Sequence, residues 1–160
     1  MMTIEPKFDY HEDEYYVDIP IDNQTLHMSF WLDDWTDRSV HLGVYLQVYT
    51  KRKRIVQEEG SFAITGKNPL ATVIYARKAF EVLERESLKG YNENYDVIIF
   101  IHWTNNLRRN VYERFLLPHG YRYGILNNQK VLMKKWKKGE GIGAIREVEE
   151  NSSDDDGRAT

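Results

Sequence analysis

Hydrophobic and polar residues alternate through much of the first third of the chain. Residues 42–49 show the clearest alternation, with the apolar positions at Leu42, Val44, Leu46 and Val48. A period of two predicts a strand with one buried face. Residues 15–32 carry a looser form of the same pattern, interrupted by the turn signal Asp22-Asn23, so two further strands are expected there.

A basic run, Lys51–Arg54, follows the clearest strand, and the apolar pair Ile55-Val56 comes directly after it. We interpret the run as a solvated hairpin turn, with contact to nucleic acid as the alternative. A second strand is then expected to run from residue 55 to Ile64.

A long helix is predicted to begin at Pro69, because Asn68 is a good N-cap and proline suits the first helical position. Gly90 is a plausible C-terminal cap. One face of this helix is apolar at helical spacing, through Val73, Ala76, Phe80 and Leu83.

The apolar run Val97–Ile101 predicts a strand buried on both faces, and the strand–helix–strand order predicts a βαβ unit. A second helix is expected over residues 107–117, ended by Pro118 and Gly120. A closing hairpin is expected to turn at Asn127-Asn128.

These elements predict an α+β (α/β) fold with a mixed, mostly antiparallel central sheet and two main helices. Residues 1–138 form a single domain in this interpretation, with residues 1–40 as acidic N-terminal strands. Residues 139–160 lose the hydrophobic pattern, so we expect a disordered acidic tail there and interpret its alternating glycines as a linker.

Composition excludes several classes of protein and site. No stretch approaches the ~20 apolar residues of a spanning helix, and the acidic N-terminus lacks the order of a secretory signal peptide. The chain has no cysteine, which removes disulfides, thiolate metal sites and cysteine nucleophiles. The five histidines lack the spacing of metal ligands, so no metal site is expected.

Charge is strongly segregated along the chain, although the net charge is only −3. Residues 1–37 carry −9, residues 147–160 carry −5, and the middle carries +11. The basic middle suits an anionic ligand, either a nucleotide-like cofactor or nucleic acid. Alternatively, the acidic N-terminal segment simply folds against the middle and neutralises it.

Several motifs in the second half of the chain point to one family. Asn105 follows the buried strand, Tyr112 comes seven residues later, and Gly120-Tyr121 leads into the closing hairpin. From about residue 40 to residue 136, the order of these motifs and of the predicted elements resembles that of the GNAT superfamily of N-acyltransferases, which use acyl-CoA. The loop at Thr65-Gly66 looks like a divergent, phage-type branch of GNAT-like proteins.

The resemblance implies acetyl-CoA as the cofactor, held by a loop before the long helix. It assigns cofactor binding to Ile64, Gly66, Lys67, Asn68, Leu70, Ala71 and Asn105. The loop departs from the family pattern, because Pro69 stands at a small-residue position and has no N–H to donate to a phosphate. For Asn105, capping of the second helix is an alternative role.

The resemblance also places Tyr112 near the thioester sulfur as a general acid; a core tyrosine is the alternative. Glu58 and Glu59 are candidates for a base that acts through water. Alternatively, they form an exposed acidic turn whose charge complements the basic run Lys51–Arg54. His102 and Trp103 end the buried strand, and one of them is a candidate for lining the pocket.

The function implied is transfer of an acetyl or acyl group from acyl-CoA to an amine acceptor. The alternative is a catalytically inactive GNAT-fold protein that binds a protein partner, such as a phage accessory protein. Nucleic acid and membrane are disfavoured as partners. We expect a cytoplasmic location, in the host cytoplasm if the chain is phage-encoded.

Overall fold

The computed structural model describes residues 4–21, 24–50, 55–57, 69–103 and 106–158. Eight strands form one sheet. They are β1 (Lys7–Asp9), β2 (Glu14–Ile21), β3 (Gln24–Trp35), β4 (Ser39–Thr50), β5 (Ile55–Gln57), β6 (Asp96–Ile101), β7 (Arg122–Leu126) and β8 (Gln129–Trp136). The helices are α1 (Pro69–Tyr91), α2 (Asn106–Leu116) and α3 (Glu140–Arg158), and a short 3₁₀ helix covers Leu117–His119.

The sheet is mixed and mostly antiparallel, as predicted. Its strand order is β1-β2-β3-β4-β6-β8-β7, with β5 paired to β4 outside this path. Among the strands of the described ranges, only β4 and β6 run parallel to each other. The predicted α+β class is therefore confirmed at this level, with a third helix that the sequence did not predict.

The parallel partner of β6 differs from the expected one. The sequence predicted a crossover from a strand ending near Ile64, whereas the strand parallel to β6 is β4 and the short β5 pairs antiparallel with β4. Residues 58–68 lie outside the described residues. The crossover that the structure shows therefore leaves β4 and returns through α1 to β6.

The two faces of the sheet have different surroundings. Helices α1 and α2 pack on the face that carries Leu42, Leu46 and Ile99, which we call the helical face, and it holds most of the buried core. We call the opposite face, with Trp31 and Tyr45, the open face. No helix in the described ranges packs on it.

Helix α3 corrects the disordered tail expected for residues 139–160. Its first turn is capped from another part of the chain, because Asn92 Oδ1 accepts hydrogen bonds from the backbone N–H groups of Gly141 (2.7 Å) and Ile142 (3.1 Å). Ile142 is buried and Ile145 packs on the core. The Lys89–Glu149 ion pair, 2.9 Å long, then links α1 to α3.

The carboxyl group of one glutamate is partly buried at the helical-face core. Glu84 on α1 accepts a 2.7 Å hydrogen bond from the hydroxyl of Tyr121, which is fully buried. Burial raises the pKa of Glu84, and the negative charge of Glu81 adds to the rise. The hydrogen bond from Tyr121 and the positive charges of Lys134 and His119 offset it only in part. The folded protein therefore favours the protonated form of this group.

This pair predicts a pH dependence of stability. The folded state binds more protons than the unfolded state between the ordinary Glu pKa of 4.5 and the raised pKa of Glu84. The free energy of unfolding therefore falls as pH rises through that interval. Glu84→Gln keeps the acceptor for Tyr121 without the charge, so we expect urea denaturation from pH 4 to 8 to show a smaller fall for this variant.

The matched control is Glu150→Gln on the exposed part of α3, which should leave the pH dependence unchanged. Tyr121→Phe should steepen the fall, because it removes the hydrogen bond that opposes the rise in the pKa of Glu84. Identical pH profiles for Glu84→Gln and the unmodified protein would contradict this account.

Candidate active site

The parallel strands β4 and β6 separate part of the way along the sheet. Their pairing ends at Gly43 and Phe100, although β4 continues to Thr50. Because β3 pairs with β4 along its whole length, β5 and β6 must share the other edge of β4. Residues 44–47 therefore have no strand partner on that edge among the described residues, and we call this opening the strand gap.

A first pocket, of about 250 Å³, lies on the helical side of the strand gap. Its wall is mostly apolar and includes Val44 and Leu46 from β4, Val73 and Phe80 from α1, and Val111, Phe115 and Leu116 from α2. Two arginines, Arg77 and Arg114, also line it. The guanidinium carbon of Arg77 lies 5.6 Å from the centre of the Phe115 ring, a cation–π distance.

A second pocket, of about 180 Å³, lies at the gap on the open face. Gly43 permits its shape, because a Cβ atom there would lie only 2.7 Å from the ring of Trp31. Trp31 also packs edge-on against Phe100, with the ring centres 6.3 Å apart. The other lining residues include Asp33, Tyr45, His102, Leu126 and Gln129.

Tyr112 lines both pockets. It belongs to α2, it is only 5% exposed, and Val44 and Leu46 are the other residues that the two pockets share. The ring therefore lies where the two pockets meet at the strand gap. The two roles that the sequence left open for Tyr112 are compatible, because it is both a core residue and a pocket residue.

A third pocket, of about 400 Å³, adjoins the second on the open face and shares Trp31 and Tyr45 with it. We call it the acidic pocket, because Glu12 and Glu14 line it together with His27, Ser29 and Leu32. Burial raises the pKa of Glu14, although the charge of His27 and the Ser29 hydroxyl partly oppose this rise.

The acidic pocket also contains an oriented histidine. His27 Nδ1 lies 2.6 Å from Asp18 Oδ1, since β2 and β3 pair Asp18 directly opposite His27. The carboxylate fixes the ring orientation. The motif search missed this pair, although an antiparallel hairpin that turns at the predicted site, Asp22-Asn23, places these two positions opposite each other.

The pockets on the two sides of the gap differ in charge. Among the described residues, the helical-side pocket is lined by two arginines and no carboxylate. The described lining of the two open-face pockets includes Glu12, Glu14 and Asp33 and contains no lysine or arginine. A ligand that enters from the helical side therefore meets positive charge, whereas one that enters from the open face meets negative charge.

Three of the ten predicted site residues lie within the described residues. Tyr112 is described, and Leu70 and Ala71 form part of the first turn of α1, next to the turn that reaches the first pocket at Val73. His102 lines the second pocket and so shares it with Tyr112. The remaining predicted residues lie outside the described residues: Glu58, Glu59, Ile64, Gly66, Lys67, Asn68 and Asn105.

The motif search also missed Arg77 and Arg114 as pocket residues. Their signal was weak, because an arginine on the polar side of a helix ordinarily faces solvent. The described residues contain no group of three His, Asp or Glu side chains able to hold a metal ion. None of the helices in the described ranges combines the length and the apolar character needed to cross a membrane.

Comparison with known proteins gives no relative for this chain: no family model, curated protein or solved structure matches it at a significant level. The assignment of a function therefore rests on the geometry of the strand gap and on the chemistry of its lining.

Proposed function

We propose that this protein is a GNAT-like N-acyltransferase that transfers an acetyl or acyl group from acyl-CoA to an amine. The observation that carries the proposal is the strand gap, at which a buried tyrosine lies between pockets on opposite faces of the sheet. An acyl transfer between two bound molecules requires both to reach one carbonyl carbon, and two entrances allow this without competition.

The helical-side pocket suits the cofactor. Acetyl-CoA supplies a thioester on a long, largely uncharged arm that ends in phosphates. The apolar wall of the pocket fits the arm, and Arg77 and Arg114 fit the phosphates. The N-terminus of α1, which favours anions, begins one turn before Val73 in the same wall.

Tyr112 is the proposed general acid. When the bond between the carbonyl carbon and sulfur breaks, the Tyr112 hydroxyl donates a proton to the departing sulfur. At the same time the amine nitrogen forms its bond to the carbonyl carbon. The proposed donors to the carbonyl oxygen are backbone N–H groups of β4, on the edge that has no strand partner among the described residues.

His102 is the proposed base for the amine. It lines the open-face pocket that Tyr112 also lines, so a neutral imidazole there can accept the proton that the amine loses. Glu58 and Glu59 remain the bases predicted from sequence. The two assignments are distinguishable, since replacement of His102 by Gln lowers kcat only if the histidine is the base.

Binding of acetyl-CoA tests the proposal directly. A ligand at 100 times its Kd that binds only the native state adds about 2.7 kcal/mol to the free energy of unfolding. For a chain of this length we therefore expect the melting temperature to rise by roughly 5–10 °C with saturating acetyl-CoA. The double variant Arg77→Gln, Arg114→Gln should lose most of this rise.

The control for charge is Lys138→Gln, at an exposed position outside the three pockets, which should keep the full rise. The absence of any rise at millimolar acetyl-CoA or CoA would contradict the enzymatic proposal.

A second candidate function is a catalytically inactive GNAT-fold protein that binds a partner. The open face favours it, because it presents the half-buried aromatic residues Tyr16, Trp31 and Tyr45, and no described helix packs over them. A protein that shows no acetyl-CoA stabilisation, and that loses partner binding when these aromatics are replaced, would support this candidate instead.

A further inference from the structure

The helical-side pocket combines an apolar floor with a positively charged rim. We propose that it binds a saturated medium-chain fatty acid, with the alkyl chain on the floor and the carboxylate at Arg77 and Arg114. This binding goes beyond the proposed acyl transfer and can be measured without it. Only the competition with acetyl-CoA, which is assigned to the same pocket, rests on the proposed function.

The floor of the pocket is formed by side chains of the core itself. Met28 from β3, Phe80 from α1 and Leu116 from α2 are each at most 4% exposed, yet all three line the pocket. Protein interiors are close-packed, and a void among apolar core side chains destabilises a fold. A space of about 250 Å³ in this position therefore favours a ligand that fills it.

The chemistry of the lining suits an alkyl chain. Apart from the two guanidinium groups and the Tyr112 hydroxyl, the described side chains around the pocket are apolar. A polar ligand group on the floor would lose its hydrogen bonds to water, whereas each methylene group that leaves water gains free energy. The floor therefore favours hydrocarbon over amide or hydroxyl groups.

The rim of the pocket carries positive charge from two helices. Arg77 on α1 and Arg114 on α2 both line the pocket and are both exposed to solvent, and we call them the rim arginines. Guanidinium groups bind carboxylates through paired, charge-assisted hydrogen bonds. A carboxylate at the rim therefore meets positive charge from both helices while its alkyl chain reaches the floor.

No described carboxylate neutralises the rim arginines. Glu81 lies one turn after Arg77, at the spacing of an ion pair within a helix, but its Oε1 lies 3.5 Å from His119 Nε2. Glu113 adjoins the other rim arginine in sequence, and it pairs with Arg109 at 3.6 Å. Among the described residues, neither rim arginine forms an ion pair. Both are therefore available to an anionic ligand.

The volume of the pocket sets the length of the chain. An apolar cavity of about 150 Å³ accommodates benzene, a six-carbon ligand. A pocket of about 250 Å³ therefore has room for a chain of roughly eight to ten carbons. Affinity should rise with chain length only until the floor is filled.

Isothermal titration calorimetry without acyl-CoA, with every ligand below its critical micelle concentration, tests the inference. From hexanoate to octanoate we expect the affinity to rise about fourfold for each added methylene, which corresponds to about 0.8 kcal/mol. The rise should stop beyond decanoate, because further methylenes stay in water. Octan-1-amine should bind much more weakly than octanoate, because its ammonium group is repelled by the rim arginines.

The double variant Arg77→Gln, Arg114→Gln separates the head group from the chain. It should weaken octanoate binding by about tenfold, which corresponds to 1.4 kcal/mol. Binding of octan-1-ol, which carries no charge, should stay the same. Lys138→Gln, at an exposed position outside the three pockets, is the charge-matched control and should keep the full affinity for octanoate.

A pair of valine variants tests the apolar part of the pocket. Val73→Phe enlarges a half-buried side chain of the wall, so it should weaken octanoate binding and stop the rise in affinity at a shorter chain. Val82→Phe is its match, since Val82 is a half-buried valine of the same helix that lines none of the three pockets. It should leave octanoate binding unchanged, and the melting temperature shows that each variant is folded.

An affinity that keeps rising through dodecanoate, equal binding of octanoate and octan-1-amine, or unchanged octanoate binding in the pocket variants would overturn the inference. So would octanoate binding that saturating acetyl-CoA does not weaken, in a protein that acetyl-CoA stabilises. Stabilisation by acetyl-CoA without octanoate binding would overturn it and leave the proposed acyltransferase standing. Octanoate binding without acetyl-CoA stabilisation would support the fatty-acid site and count against the acyltransferase.

Discussion

Tyr112→Phe is expected to lower kcat for the proposed acyl transfer by about a hundredfold or more, the usual effect of losing a general acid. The expectation follows from the position of Tyr112 at the strand gap, where the helical-side and open-face pockets meet. Because phenylalanine keeps the ring and its packing, binding of acetyl-CoA should change little. The measurement is steady-state kinetics of CoA release from acetyl-CoA with an amine acceptor, together with the melting temperature of each variant.

The matched control is Tyr123→Phe, which removes a hydroxyl from a tyrosine that is 40% exposed and lies outside the three pockets. It should leave kcat unchanged. The loss of one buried hydroxyl in Tyr112→Phe should cost about 1 kcal/mol of stability, so a large fall in kcat cannot be attributed to unfolding. A kcat within twofold of the unmodified enzyme would remove Tyr112 from the mechanism.

Asn92→Ala is expected to destabilise the fold by about 3 kcal/mol or more, because four hydrogen bonds, two of them fully buried, are lost at one residue. Asn92 is fully buried. Besides capping α3 through Gly141 and Ile142, it donates from Nδ2 to the carbonyl oxygens of Tyr95 (3.0 Å) and Lys137 (3.2 Å). One side chain thereby joins the turn after α1, the end of β8 and the start of α3.

Urea denaturation monitored by circular dichroism measures this loss, and limited proteolysis shows whether α3 is released. Asn94→Ala is the control, since Asn94 is an exposed asparagine in the same turn and should change the free energy of unfolding by less than about 0.5 kcal/mol. If both variants are equally stable, the tertiary cap is not what holds α3.

Local pattern predicted most of the individual elements. The alternation over residues 42–49 falls within β4, the helical stripe falls within α1, and the apolar run Val97–Ile101 falls within β6. The closing hairpin turns at Asn127 and Asn128, which both adopt positive φ, the conformation that asparagine tolerates. These features depend on neighbours within a few residues, so they can be recognised in the chain itself.

The helix at residues 140–158 was not predicted, because what stabilises it lies elsewhere in the sequence. The sequence Gly139–Ala144 is poor in helix formers, and its glycines indicate a linker. The helix forms because Asn92, about 50 residues earlier, caps its first turn and because Ile142 is buried against the domain. No local pattern contains a cap that the fold brings from elsewhere.

The sequence by itself predicted most of the described strands, the two main helices and the mixed character of the sheet. Only the tertiary structure decided that β4 is the parallel neighbour of β6, that their pairing stops at Gly43 and Phe100, and that the pockets on the two sides carry opposite charge. The physical reason is the distance along the chain between the residues that interact. Periodicity reports which side of each element is buried, whereas a gap between strands depends on contacts between residues more than fifty positions apart.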